Sequence, residues 1–220
     1  MSFKNSMNID SIIVNNFLDD PDAVRSWVID NSKNGFLNFD IEGSYPGKRT
    51  YQLANIDYRS MVESKLKQIL PFKFEMDMKR SDSYAYQVCL ENEMTWVHVD
   101  SSHWAGILYL TPNAPLESGT LIYREEYKPI LNKMSLKIQR LALDSNKTKT
   151  LDDEDKISKE MDSLMEGSNI TDVTIQVNNI YNRLLLLRGS CLPHRSNISG
   201  FGNSLENGRL TQVFFFNEVI

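Results

Sequence analysis

At 220 residues, 41% of them hydrophobic, the chain is long enough for one domain with a sizeable core and needs no disulfide staples. Its formal net charge of -5, mixed in sign along the chain, offers no basic face and argues against phosphate-driven nucleic-acid binding. No apolar run approaches a membrane span, the first ten residues lack a signal-peptide pattern, and two cysteines (Cys89 and Cys191) are too few for a disulfide framework, so a soluble, cytoplasmic protein with reduced thiols is expected.

Residues Ile9 to Leu18 read as a strand and turn. Asp20-Pro21 then forms a helix start: the carboxylate can accept from free first-turn amides, and proline suits the first helical position. A helix to about Asn31 follows, with Val24, Trp27 and Val28 at helical spacing. Gly35 to Arg49 is a loop containing Tyr45-Pro46-Gly47. A second helix spans about Tyr58 to Leu70 and stops before Pro71.

The pattern then becomes that of a β protein. Phe72 to Met78 alternates apolar and polar residues. Ser83–Leu90, Thr95–Val99, Trp104–Thr111 and Thr120–Tyr123 are aromatic and β-branched, and turn residues divide them. Residues 124–170 read as a helical insertion: Ile130, Met134, Ile138 and Leu141 share one helix face, and Ile157, Met161 and Leu164 another. Strands resume at Val173–Val177, Leu184–Leu187 and Leu210–Phe216. The expected fold is mainly β with flanking helices, a single domain over residues 1–220. Its short antiparallel strands must close or double over to hide their edges, as a double-stranded β-helix (a cupin-like jelly roll) does.

The chain has three histidines, His98, His103 and His194. His98 and Asp100 form an H-x-D pair, and in extended chain residues two apart point to one side, so an imidazole and a carboxylate can reach one metal ion. His194 can supply a third ligand. Two histidines and one carboxylate leave positions open, the arrangement preferred by oxygen-activating non-haem iron(II). Structural zinc usually fills its positions with cysteines, and Cys89 and Cys191 do not form a CxxC pair.

The order of segments adds context: the H-x-D pair, Trp104-Ala-Gly-Ile-Leu-Tyr-Leu-Thr111, Ser118-Gly-Thr-Leu-Ile-Tyr123, then His194, and finally Gly208-Arg-Leu-Thr211 opening an apolar strand. From about Ser83 to Phe216 this resembles the 2-oxoglutarate/iron(II) oxygenase superfamily in its prolyl-hydroxylase-like branch. The resemblance implies an oxygenase that uses iron(II), 2-oxoglutarate and molecular oxygen to hydroxylate a substrate, either a peptide side chain or a small molecule. It implies that His98, Asp100 and His194 hold the metal, that Arg209 pairs with the distal carboxylate of 2-oxoglutarate, and that Thr211, Tyr109 and Tyr86 line the co-substrate pocket. The interval from His194 to Arg209 is wider than the family's, and Arg195 competes for the anchoring role. The alternative is a cupin-like metal-binding or interaction protein on the same fold, which would not need Arg209.

The remaining singular residues have plainer readings. His103 is read as a rim residue, and Trp96 and Trp104 as core. Tyr45, Arg49 and Tyr51 are read as a solvated loop. Asp152-Asp-Glu-Asp155 reads as a helix start, Cys191 as buried filler, and the insertion as a lid, a decoration or a homodimer surface.

Overall fold

The computed structural model describes residues 9–39, 45–52, 55–91, 93, 95–129, 173–197 and 200–219. Two helices precede the β region. Helix α1 (Pro21–Lys33) is capped by the Asp20 carboxylate, which accepts from the Ala23 amide at 2.9 Å, and it buries Val28 and Ile29. Helix α2 (Ile56–Ile69) is capped by the Asn55 side chain in the same way and buries Val62 and Leu66.

The strands are β1 (Ser11–Val14), β2 (Lys48–Arg49), β3 (Phe74–Met76), β4 (Tyr86–Cys89), β5 (Trp104–Tyr109), β6 (Thr120–Tyr123), β7 (Val173–Val177), β8 (Leu184–Leu187), β9 (His194–Ser196) and β10 (Arg209–Glu218). They form two antiparallel sheets. The larger runs β1-β8-β5-β10-β4-β2, with β3 paired to the far end of β10; the smaller runs β7-β6-β9. Strand β10 occupies the middle of the larger sheet, between β5 and β4.

Alternation along β10 divides the interior in two. Leu210, Phe214 and Phe216 join Val28, Val62 and Leu66 in a core between sheet and helices. Val213 and Phe215 join Ala105, Leu185 and Leu187, and Ile122 and Val177 of the smaller sheet, in a second core between the sheets. No helix among the described residues is long and apolar enough to cross a membrane.

Two boundaries differ from the sequence expectations, and a third lies mostly outside the described residues. Thr95–Val99 is not a strand; His98 makes a single bridge to His194, because the Trp96 carbonyl accepts from the ring of His98 and the chain then turns so that the Asp100 amide reaches the Gly189 carbonyl. The strand expected from Ser83 begins at Tyr86, since Tyr84 sits at φ +64 and closes a turn instead. Of the insertion expected at 124–170, residues from 130 lie outside the described residues; a short 3-10 turn, Glu125–Tyr127, precedes them.

Candidate active site

His98 and His194 face each other through their backbone bridge, with N–H···O distances of 3.0 and 2.9 Å and ring centroids 4.5 Å apart. The Nδ1 atom of each ring meets a carbonyl two residues earlier, Trp96 at 3.1 Å and Leu192 at 2.9 Å. A carbonyl accepts only from a protonated nitrogen, so Nδ1 carries a hydrogen in each ring and Nε2 is the atom that faces the site. The Asp100 carboxylate lies 3.3 Å from Nε2 of His194, and ligand atoms of His98, Asp100 and His194 all fall within 4.8 Å of one another. Ligands each about 2.1 Å from a shared ion stand roughly 3 Å apart, so small side-chain rotations close this cluster on a metal.

Gly189 makes room for it. A Cβ built there would stand 2.7 Å from Asp100 Oδ2, so any side chain would displace the carboxylate. Electrostatics favour the ligating forms of His98 and Asp100. Burial, reinforced by His194, pushes the His98 imidazole down to about 4, which keeps it neutral. For Asp100 burial acts upward, but the hydrogen bond and charge of His194, with His98 and Arg80, outweigh it and hold the carboxyl well below its ordinary value. His194 shifts upward: burial lowers it, and its contact with Asp100 more than reverses that.

The cluster opens onto a cavity between the sheets, also lined by Arg209, Thr211, Gln87, Cys89 and Phe215. Arg209 is buried there. Its Nε donates to the Ser118 carbonyl at 2.9 Å, its guanidinium lies 5.8 Å from the Tyr109 ring centroid, and no carboxylate among the described residues pairs with it. Thr211, two residues on and on the same strand face, has a buried hydroxyl without a partner. Tyr109 donates to, or accepts from, the Thr120 hydroxyl at 2.7 Å beside this pair. A buried cation and an orphaned hydroxyl on one wall fit the distal carboxylate of a bound dicarboxylic acid. Cys89 lines the cavity outside the ligand cluster, and burial, only partly offset by Arg209, pushes its thiol up to about 12.

Three residues are placed differently from their sequence readings. Tyr86 does not line this cavity. It lies on the other face of β4, in the helix-side core beside Tyr58 and Trp27, and its neighbour Gln87 faces the metal cluster instead. Arg195 borders the cavity, but its Nε donates to the Tyr123 hydroxyl at 3.0 Å, and strand alternation turns its side chain away from that of His194. Arg49, read as loop, is buried and lines the cavity. Its strand β2 is two residues long, and only the neighbouring Gly47 at φ +70, with the extended Lys48-Arg49, hinted at a turn feeding a strand. His103 lies at the sheet end: its Nδ1 accepts from the Glu218 amide, away from the cluster.

Among solved structures, a Pseudomonas putida prolyl-4-hydroxylase matches 97% of this chain and 95% of its own length, with 11% identity and a TM-score of 0.52. A prolyl hydroxylase from Trichoplax adhaerens, solved with a peptide fragment of the hypoxia inducible factor oxygen degradation domain, matches 95% of this chain and 84% of its own, with 13% identity and a TM-score of 0.54. The chain has the prolyl-hydroxylase fold. HygX from Streptomyces hygroscopicus, solved with nickel, 2-oxoglutarate and hygromycin B, shares that fold over 96% of this chain and 84% of its own, with 11% identity and a TM-score of 0.55. No protein-family model and no curated protein matches the sequence. At such identities the prolyl-hydroxylase fold is what the likeness establishes, and the roles of individual residues rest on the geometry above.

Proposed function

We propose that this protein is an iron(II)- and 2-oxoglutarate-dependent oxygenase that hydroxylates a C–H bond of its substrate, built on a double-stranded β-helix. His98, Asp100 and His194 hold the metal and leave the cavity side of the ion open. Arg209 and Thr211, with Tyr109 beside them, receive the distal carboxylate of 2-oxoglutarate. The bound metal supplies the oxygen chemistry; the chain contributes orientation, two imidazoles fixed in the right tautomer, and a dry cavity wall. Neighbours of the same fold hold nickel with 2-oxoglutarate, or a peptide, which supports an acid co-substrate and leaves the substrate class open.

The observation that carries the reading is a buried guanidinium that meets no carboxylate, beside a hydroxyl that has no partner, among the described residues, in the same cavity as the metal cluster. A metal-binding protein without an acid co-substrate would leave both groups buried and unanswered. The test is an anaerobic titration with iron(II) and 2-oxoglutarate, followed by assay for succinate. Removing a charge-assisted pair costs about 1.5–3 kcal/mol, so Arg209→Ala should weaken 2-oxoglutarate binding roughly ten- to a hundredfold while iron affinity changes little. Arg209→Lys should fall between, because an ammonium cannot reproduce the two-point contact. The same loss in Arg195→Ala but not in Arg209→Ala would move the anchor to Arg195, and failure of the wild-type protein to bind 2-oxoglutarate in the presence of iron would overturn the enzyme reading.

A further inference from the structure

A polar row crosses the larger sheet beneath the metal cluster. Register pairs Arg49 with Gln87, Gln87 with Thr211 and Thr211 with Tyr109, and directly paired residues share a face. Tyr109 and Thr211 form the co-substrate end of the row. Arg49 ends it on the other side, about 5 Å per strand farther along, at the edge strand β2.

Arg49 is held rigidly. Its Nε and Nη2 donate to Gln87 Oε1 at 3.1 and 3.0 Å, its Nη1 donates to Asp82 Oδ2 at 2.6 Å, and the Tyr45 ring lies 4.1 Å from its guanidinium. Asp82 is not its counter-ion alone. Arg80 takes both oxygens of the same carboxylate, at 2.8 and 3.0 Å, and stacks 3.6 Å over Phe215 on the cavity wall. Two guanidinium groups thus share the Asp82 carboxylate, and the charges of Asp77 and Asp100 bear on Arg80 as well. A guanidinium has five N–H donors, and Arg49 uses three; one is left on each terminal nitrogen, the number that a two-point contact with a carboxylate takes. The side chain is 9% exposed, so these donors have little water to turn to. After Asp82, Asp100 is the carboxylate whose charge bears on Arg49, and it belongs to the metal cluster.

We infer that Arg49 is the docking point for a carboxylate on the substrate, and therefore that the enzyme acts on an acid and discriminates against its neutral amide. The inference rests on the proposed oxygenase reading, since it takes the Arg209 end of the cavity to be filled by 2-oxoglutarate. Tyr45 and Gln87 are positioning residues that keep the Arg49 fork aimed. The carboxylate belongs either to a free acid or to an acidic side chain of a peptide, and Arg49 recognises the same group in both.

The test uses the nickel- and 2-oxoglutarate-loaded protein, which binds without turning over. Three probe sets are titrated by calorimetry: N-acetyl amino acids, their N-acetyl amides, and the N-acetyl amides of aspartate and glutamate. At least one carboxylate probe should bind about tenfold or more tightly than its neutral amide. Preference within the first set points to a free acid, and preference for the third points to an acidic side chain. In Arg49→Gln the carboxylate preference should disappear, Arg49→Lys should keep part of it, and 2-oxoglutarate affinity should fall less than about threefold in both. Asp82 keeps Arg80 in these variants, so no carboxylate is left bare and the fold is retained; thermal melting checks this. Equal binding of acids and amides, no binding by any carboxylate probe, or a preference that survives Arg49→Gln would overturn the inference. So would loss of 2-oxoglutarate binding in Arg49→Gln, which would assign Arg49 to the co-substrate. Failure of the wild-type protein to bind 2-oxoglutarate is a separate result and removes the oxygenase reading first.

Discussion

The two faces of strand β10 are equally buried and quite different in kind. On the helix side stand Leu210, Gln212, Phe214 and Phe216; on the cavity side stand Arg209, Thr211, Val213 and Phe215. Each face carries polar groups. On the helix side Gln212 is answered within the chain: its Oε1 accepts from the Tyr58 hydroxyl and its Nε2 donates to the Tyr84 carbonyl. On the cavity side, among the described residues, the Thr211 hydroxyl has no partner, and Arg209 has one carbonyl and no anion. Burial does not distinguish a structural polar residue from a functional one here. The balance of donors and acceptors does, because a satisfied group stabilises the chain and an unsatisfied one waits for a ligand.

Asp100→Ala should give the largest effect, abolishing iron-dependent succinate formation from 2-oxoglutarate. The melting temperature of the metal-free protein should move by less than about 4 °C, roughly 1 kcal/mol for a chain of this size. Full activity would place the carboxylate ligand elsewhere, and global unfolding would make the cluster structural. On the helix side, Phe214→Ala should cost about 3–5 kcal/mol in urea denaturation, since the ring is fully buried against Tyr84 and Phe17. A cost below 1 kcal/mol would show that this face is not the stabilising one. Gln212→Leu should cost about 1–3 kcal/mol by leaving the Tyr84 carbonyl and Tyr58 hydroxyl short of a partner, with no specific loss of 2-oxoglutarate affinity. Its neighbour should behave oppositely. Thr211→Val should leave the metal-free protein as stable as before, or slightly more so, while 2-oxoglutarate binding weakens roughly two- to tenfold, the equivalent of about 0.5–1.5 kcal/mol. If Gln212→Leu and Thr211→Val have the same sign of effect on stability, the contrast between the faces fails.

Much of this was legible wherever the signal was local. The caps at Asp20 and Pro71, the two helices, the strands Thr120–Tyr123, Val173–Val177 and Leu184–Leu187, and the spacing of His98 with Asp100 are all short-range patterns. Arg209 and Thr211 could be placed on one face because both lie in one long strand. Residues whose setting depends on pairing with distant chain were harder. Tyr86 and Gln87 differ by one position, and without the register to β10 nothing in the sequence says which of them looks into the cavity. Arg49 lies in a polar, two-residue strand that exists only because β4 is there to bind it. Strand β9 is only one residue longer, and its ladder with β6 and bridge to His98 are what turn His194 toward the H-x-D pair. The role of Gly189 is invisible until the Asp100 carboxylate is seen against it.

The central position of β10 also sets a timetable. It is the latest strand in the chain order, yet it fills the gap between β4 and β5, strands made more than a hundred residues earlier. A nascent chain that has already released His98, Asp100 and His194 from the ribosome still lacks the strand on which its sheet closes. Until residues 209–218 emerge, the two halves of that sheet have raw edges in place of neighbours, and the cavity beside the cluster lacks the wall that Arg209, Thr211, Val213 and Phe215 supply. Such long-range closure is slow. The His98, Asp100 and His194 cluster therefore gains its finished cavity wall only when β10 completes the larger sheet.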